Sequence, residues 1–273
     1  MLLPASGAAE MTWRFIDLDL VDNVFGAAVF EAIMDARGKD LVDDTILFWR
    51  PAKPAVYVGY HQMVEEDINV EECRERNIPI VRRVLGGGAG YCDANQIIYN
   101  VIFKERLGVP HGPKNVYQLV LGGVMEALRI LGISDVSVDE NRFSVYANGR
   151  KISGSGQLTC RGVVNSSGSF LVDFDYAAMC AVLKDPVKNL RVGVRKPEDG
   201  LTFLSREISG VTMDSAKKAL LQGFEKILGE TYGGALTAYE LEFAEKLRPK
   251  YLSAEWIFRS DLRRKRRVLS VQN

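Results

Sequence analysis

The 273-residue chain has little histidine and little cysteine: two histidines, His61 and His111, and four cysteines, Cys73, Cys92, Cys160 and Cys180. No CxxC or HExxH spacing occurs, which argues against a zinc site of the usual kinds. The cysteines lack the spacing of a disulfide framework, and a chain of this length can build its own core. They read as mostly reduced thiols in a cytoplasmic protein. Charge of one sign is also missing, since Lys plus Arg total 35 and Asp plus Glu total 35. No chain-wide field gathers nucleic acid or a membrane surface, and neither is expected as a partner. Met1–Glu10 has no basic n-region, and no stretch approaches the roughly 18 continuous apolar residues of a membrane span. What is present is 47% hydrophobic and 26% charged residues, enough for one sizeable core.

Apolar residues at three- and four-residue spacing predict helices over Asp22–Arg37, Val116–Leu131 and Asp214–Leu228, with shorter or weaker ones at Val70–Arg76, Asp175–Leu183 and Thr237–Tyr251. Asp22 or Asn23 is placed to cap the first and Gly38 to end it. Branched and alternating runs predict strands at Thr45–Arg50, Ala55–Gly59, Ile78–Val84, Gln96–Phe103 and Gly168–Phe174. Arg142–Ala147 and Arg150–Leu158 read as a hairpin around Asn148-Gly149, which tolerates two positive φ angles. Strands and helices do not alternate strictly. The expected class is therefore α+β, with mixed, largely antiparallel sheets flanked by helices. One domain is expected over 1–256 and a basic C-terminal tail over 257–273. That tail carries Arg259, Arg263, Arg264, Lys265, Arg266 and Arg267 and reads as a solvated segment.

Two motifs carry chemistry. In Arg82-Arg83-Val84-Leu85-Gly86-Gly87-Gly88-Ala89-Gly90-Tyr91-Cys92-Asp93, three glycines after a strand allow a ligand close to the backbone. The two arginines before them suit a phosphate or carboxylate. The run is neither a Walker A loop nor a dinucleotide fingerprint. In Asn148-Gly149-Arg150-Lys151-Ile152-Ser153-Gly154-Ser155-Gly156-Gln157, strand alternation sets Lys151, Ser153 and Ser155 on one face. There the lysine is a point charge for a developing oxyanion or phosphate.

Together these runs resemble the lipoate–protein ligase A family of the biotin/lipoate ligase and octanoyltransferase superfamily. The family's Arg-Arg-x-x-Gly-Gly-Gly-Ala-Val-x-His-Asp matches Arg82 to Asp93. Its Asn-Asp and Gly-Arg-Lys-Ile-Ser-Gly-Ser-Ala match Asn141-Arg142 and Gly149 to Gly156. Phe48-Trp49-Arg50 and Val58-Gly59-Tyr60-His61-Gln62 are similar to an earlier strand pair. The resemblance implies a biotin/lipoate ligase-like catalytic domain that activates lipoate with ATP and Mg2+ to lipoyl-AMP. The lipoyl group would then pass to a lysine of a lipoyl carrier domain, such as a 2-oxoacid dehydrogenase acyltransferase subunit or the glycine cleavage H protein. Lys151 would be the catalytic residue. Arg50, Gly59, Arg82, Arg83, Gly86, Gly87, Gly88, Ala89, Asp93, Asn141, Ser153, Gly154 and Ser155 would bind substrate or adenylate, with no metal-ligand residues assigned. Val56, Val58 and Ile80 are candidate walls of an acyl tunnel. The family's accessory C-terminal domain is expected to be a separate subunit.

Gly90 stands where the family has valine, and three polar positions also depart from the pattern. Cys92 replaces a histidine, Arg142 an aspartate, and Ser167 the histidine of a His-Gly pair. Two other readings follow. An octanoyl or lipoyl transferase of the same superfamily needs an exposed thiolate in electropositive surroundings. Cys92 is a candidate for it, although transferases of this kind carry the cysteine elsewhere, and Cys180 reads as a helix-core residue. A non-catalytic ligand- or carrier-binding homologue is favoured by the three departures and opposed by the intact Lys151 and triple glycine.

Overall fold

A computed structural model describes residues 12–106 and 112–264. Met1–Glu10, His111 and Lys265–Arg267 lie outside the described residues. The first strand, β1 (Trp13–Val21), has an inward-facing apolar half at Trp13 and Ile16. It leads into helix α1 (Asn23–Gly38), whose N-terminus Asp22 caps by accepting hydrogen bonds from the Val24 and Phe25 amides. Gly38 is the last helical residue; the left-handed turn comes later, at Asp40 with φ 56°.

The strands that follow are β2 (Thr45–Pro51), β3 (Ala55–Val58), β4 (Ile80–Arg82), β5 (Gly90–Cys92), β6 (Gln96–Lys104), β7 (Val136–Asp139), β8 (Ser144–Ala147), β9 (Arg150–Cys160), β10 (Val163–Leu171) and β11 (Thr231–Gly233). Eight of them form one sheet in the order β11-β1-β2-β6-β10-β9-β8-β7, and β4-β3-β5 form a second. In the large sheet β11 with β1 and β1 with β2 pair in parallel, and every other pairing is antiparallel. The architecture is the mixed, largely antiparallel α+β arrangement expected.

Helices cover both faces of the large sheet. On one side α2 (Pro113–Ile130) packs across α4 (Met213–Leu228); between them in the chain lies the short α3 (Tyr176–Val182). On the other side α1 packs against α5 (Ala238–Leu252). Strand β2 shows why its sequence is a continuous apolar run. Ile46 and Phe48 enter the core under α2 and α4, while Leu47 and Trp49 enter the core under α1 and α5. No described helix is long and apolar enough to cross a membrane.

Several elements differ from their sequence expectations. Only Ile80–Arg82 of the Ile78–Val84 run pairs as a strand. β2 and β3 lie in different sheets, because the turn between them carries the chain from one to the other. β10 starts at Val163 because Arg161 and Gly162, with φ 51° and 74°, reverse the chain straight out of β9. Asn148 and Gly149 turn with φ 49° and 75°, as the Asn-Gly pair requires.

The boundary placed at 256/257 also needs correction. The described start of the expected tail is packed structure. Ile257 O accepts from Arg82 Nε at 2.7 Å. Asp261 is buried and accepts from the Val64 and Glu65 amides at 3.1 and 3.0 Å, capping the helical turn Val64–Asp67 from a distant part of the chain. The Arg259 guanidinium lies 3.7 Å from the Tyr60 ring centroid. These long-range partners are invisible to a local reading of charge.

Candidate active site

The glycine turn lies between β4 and β5 and is held by backbone contacts. A Cβ on Gly59 would lie 2.1 Å from Gly87 O, so the two segments meet only because residue 59 has no side chain. Gly87 has φ 94°, a conformation that disfavours any side chain. Arg83 donates to the carbonyls of Tyr57, Gly86 and Gly88 at 3.1, 3.0 and 2.8 Å, tying the turn to β3. Burial pushes its guanidinium down to about 10. Arg82 is fully buried and donates to Ile257 O, Gly59 O and Tyr60 O at 2.7, 2.7 and 3.1 Å. The expectation that both arginines await an anion is thus corrected: Arg83, and Nε and Nη1 of Arg82, donate to the protein's own carbonyls, and Arg82 Nη2 stands 3.9 Å from the buried Asp261 carboxylate.

Lys151 stands on β9 opposite the turn. A register shift at Val145/Tyr146 puts an extra residue in β9 beside it, and such bulges re-aim side chains. Lys151 is half-buried, and its Nζ lies 3.3 Å from Asn189 O. No described carboxylate forms an ion pair with it. Burial, aided by Arg142 and opposed by Asp139, pushes the ammonium down to about 8. The Lys151 carbonyl accepts from Thr202 N at 2.8 Å, fixing this edge of the strand. Ser153 and Ser155 meet the buried Tyr99 hydroxyl at 3.2 and 3.0 Å.

Turn and strand enclose a cavity of about 520 Å³, the size of a small-molecule site. Its wall includes Lys151, Ser153, Gly154, Ser155, Gly87, Gly88, Ala89, Asn141 and Arg83, together with the variant positions Cys92, Arg142 and Ser167. Arg50, Gly59, Arg82, Gly86 and Asp93 are not in it. Arg50 donates to Ala94 O and pairs with Asp19. Asp93 accepts from Asn95 N at 2.8 Å and from the Tyr91 hydroxyl at 3.2 Å, and burial raises its pKa. Arg142 stands 3.7 Å from Asp139. Among the described residues the charged lining is Arg83, Arg142 and Lys151, and no carboxylate residue is part of it.

An apolar branch extends toward α1 along Ala27, Phe30, Trp49, Tyr57, Leu85 and Ile98. Val56, Val58 and Ile80 are not part of the lining, which corrects the expected tunnel walls. Strand alternation turns Val56 and Val58 into one core and Tyr57 into the other. Sequence reasoning missed Asn189, whose carbonyl faces Lys151 and whose amide reaches Ala89 O at 3.4 Å. It sits in a loop without periodicity, so no local signal marks it. Of the thiols, Cys73 and Cys92 are buried and Cys160 and Cys180 are exposed. Cys180 is therefore not the helix-core residue it was expected to be. Burial pushes Cys92 up to about 12.

Residues 22–225 match the lipoyl protein ligase A/B catalytic domain family. The chain is 31% identical to octanoyltransferase LipM of Geobacillus kaustophilus, over 92% of this chain and 99% of that protein. It is 29% identical to octanoyltransferase LipM of Bacillus subtilis, over 91% and 98%. In structure it resembles the bi-partite lipoate protein ligase of Thermoplasma acidophilum, with TM-score 0.80 at 24% identity over 92% of this chain and 97% of that one. It also resembles a lipoate-protein ligase A bound with ATP, with TM-score 0.78 at 24% identity over 92% and 100%. At that identity the structures show the fold alone. The full-length relatives at higher identity are named octanoyltransferases. This overturns the expectation of an ATP-dependent, adenylate-forming ligase, and the expected ATP and Mg2+ fall with it.

Proposed function

Because the chain belongs to the lipoyl protein ligase A/B catalytic domain family, we propose that it transfers an octanoyl group from an acyl thioester to a lysine of a lipoyl carrier domain. The observation that carries this reading is a single cavity joining an apolar branch to a half-buried lysine with no carboxylate ion-pair partner among the described residues. The acyl chain lies in the branch among Ala27, Phe30, Trp49 and Tyr57. Each buried methylene contributes about 0.8 kcal/mol, so chain length is selected there. The thioester carbonyl then sits toward Lys151. Its ammonium stabilises the negative charge that develops on oxygen when the acceptor amine adds, a term worth about 3 kcal/mol at comparable sites.

The acceptor is a lysine on a lipoyl domain of a 2-oxoacid dehydrogenase acyltransferase subunit or on the glycine cleavage H protein. The donor arrives already activated, so no adenylation step and no accessory subunit are needed. The test uses the purified chain, an octanoyl thioester of coenzyme A or of a phosphopantetheine carrier protein, and a lipoyl domain, without nucleotide. Mass spectrometry of the lipoyl domain should show an octanoyl-lysine amide. No amide from either thioester, with amide appearing from free octanoate and ATP, would overturn the proposal.

A further inference from the structure

We infer that the loop of residues 183–196, on the rim of the cavity, is the docking surface for the acceptor protein, and that the face it receives is acidic with an apolar hollow beside the acceptor lysine. The inference rests on the transferase reading above and names the surface at which that partner binds. The loop follows α3 and gives Leu183, Pro186, Asn189 and Leu190 to the cavity lining. Asn189 O stands 3.3 Å from Lys151 Nζ, so a partner seated on the loop is beside the place assigned to the reacting carbonyl.

The base of the loop is fixed by its own chain. Leu190 is buried, and a Cβ on Gly200 would lie 2.8 Å from Val194 Cγ1 and 3.2 Å from Leu190 Cδ1, so both side chains press on the turn Pro197–Gly200. The Arg191 guanidinium lies 3.9 Å from the Tyr146 ring centroid and reaches Gly149 O at 3.4 Å. Lys188 pairs with Asp67. The tip faces outward. Val194 N donates to Arg191 O at 3.2 Å and closes a turn with Val192 and Gly193 at its corners. Gly193 has φ 91°, and Val192 is 93% exposed, against at most 59% for any other exposed large apolar side chain among the described residues.

A lone exposed valine is ordinary on a protein surface. This one stands on a rigid base among cations. Residues 191–196 carry Arg191, Arg195 and Lys196, all exposed, and no carboxylate. No described carboxylate forms an ion pair with any of the three, and Asp185, Glu198 and Asp199 stand at the two ends of the loop. The charged cavity lining next to it, Arg83, Arg142 and Lys151, has the same sign. Unpaired charge of one sign around an entrance steers and registers a partner of the other sign.

Reach decides which protein is meant. Val192 is three residues from Asn189, at most about 11 Å along the chain. The amine of an acceptor lysine extends only about 6 Å from its own Cα, so its domain must press on the rim to present it. A thioester donor hangs on a long pantetheine arm, and its protein can stand clear of the loop.

The test uses the intact chain, its V192D and R195E/K196E variants, octanoyl-coenzyme A, and the unmodified lipoyl domain of a 2-oxoacid dehydrogenase acyltransferase subunit. Titrating isotope-labelled lipoyl domain with the wild-type chain, without donor, should shift NMR signals around its acceptor lysine and the carboxylates near it. That affinity should fall as salt is raised from about 50 to 300 mM. Both variants should weaken it by about ten-fold or more and raise KM for the lipoyl domain by the same factor. Their kcat at saturating domain and KM for octanoyl-coenzyme A should stay within about two-fold, which a misfolded variant would not allow. Absence of binding by the wild-type chain, a wild-type affinity indifferent to salt, an affinity neither variant changes, or a rise in KM for an octanoyl carrier protein in place of the lipoyl domain overturns the inference. Binding that depends on the loop but yields no amide from any thioester refutes the transferase reading and leaves the docking surface standing.

Discussion

Lys151→Met removes the ammonium and keeps the length and apolar stem of the side chain. The structure assigns opposite signs to its effects on stability and on activity. Burial lowers the lysine from 10.5 to about 8, so at neutral pH the charged form costs the fold up to about 3 kcal/mol. Between those two values the unfolded chain binds more protons than the folded one, so wild-type stability rises with pH over that window. The variant should therefore be as stable as the parent or more stable at pH 7, with the gap closing as pH rises past 8. Urea unfolding at pH 7 and at pH 9.5 reads this directly. Octanoyl transfer should meanwhile fall by about 10²–10³-fold, the scale of losing one oxyanion donor. In the parent, kcat/KM should fall above pH 8 by about ten-fold per unit as the ammonium is lost. A variant that is less stable at pH 7, or that retains transfer within about five-fold, would refute this reasoning. So would a wild-type rate that rises through pH 8, which would make the lysine a base.

Gly59→Ala places a Cβ against Gly87 O and should displace the glycine turn, lowering stability by about 1–3 kcal/mol and slowing transfer; thermal denaturation and the amide assay check both. Ala27→Leu fills the apolar branch from α1 and should shift preference from octanoyl toward shorter acyl donors by about ten-fold, read as the ratio of kcat/KM values for octanoyl and butanoyl thioesters. Asp261→Ala removes the cap on Val64–Asp67 and the carboxylate facing the buried Arg82, and should cost about 2–4 kcal/mol in urea unfolding.

The parts of the fold set by local chemistry could be read from the sequence. The apolar spacing of Val116, Val120, Val124 and Leu128 is enough to place α2, and the capping carboxylate of Asp22 to start α1. The Asn148-Gly149 turn follows from backbone sterics alone. Elements made by distant partners could not be read. β11 is three residues long and exists only through its parallel pairing with β1, and β1 itself went unread although it alternates. At the site, the glycine turn and Lys151 are local motifs and meet in the cavity. Arg82 shows the limit. Its sequence neighbourhood suggests an anion site, whereas its Nε and Nη1 donate to the carbonyls of Ile257, Gly59 and Tyr60, the first 175 residues away, and its Nη2 faces the chain's own Asp261 at 3.9 Å. Strand alternation likewise shows that Val56 and Tyr57 face opposite ways, but only the packing of α1 decides which of them meets the cavity.

The central claim is that one cavity holds the acyl chain at its apolar end and the reacting carbonyl at Lys151. The most direct measurement is a crystal structure of the chain with a stable analogue of the donor, an octanoyl amide of pantetheine. The account predicts the octanoyl chain among Phe30, Trp49 and Tyr57, with the carbonyl oxygen within hydrogen-bond distance of Lys151 Nζ. A chain lying elsewhere, or a carbonyl turned away from Lys151 toward Cys92, would contradict it.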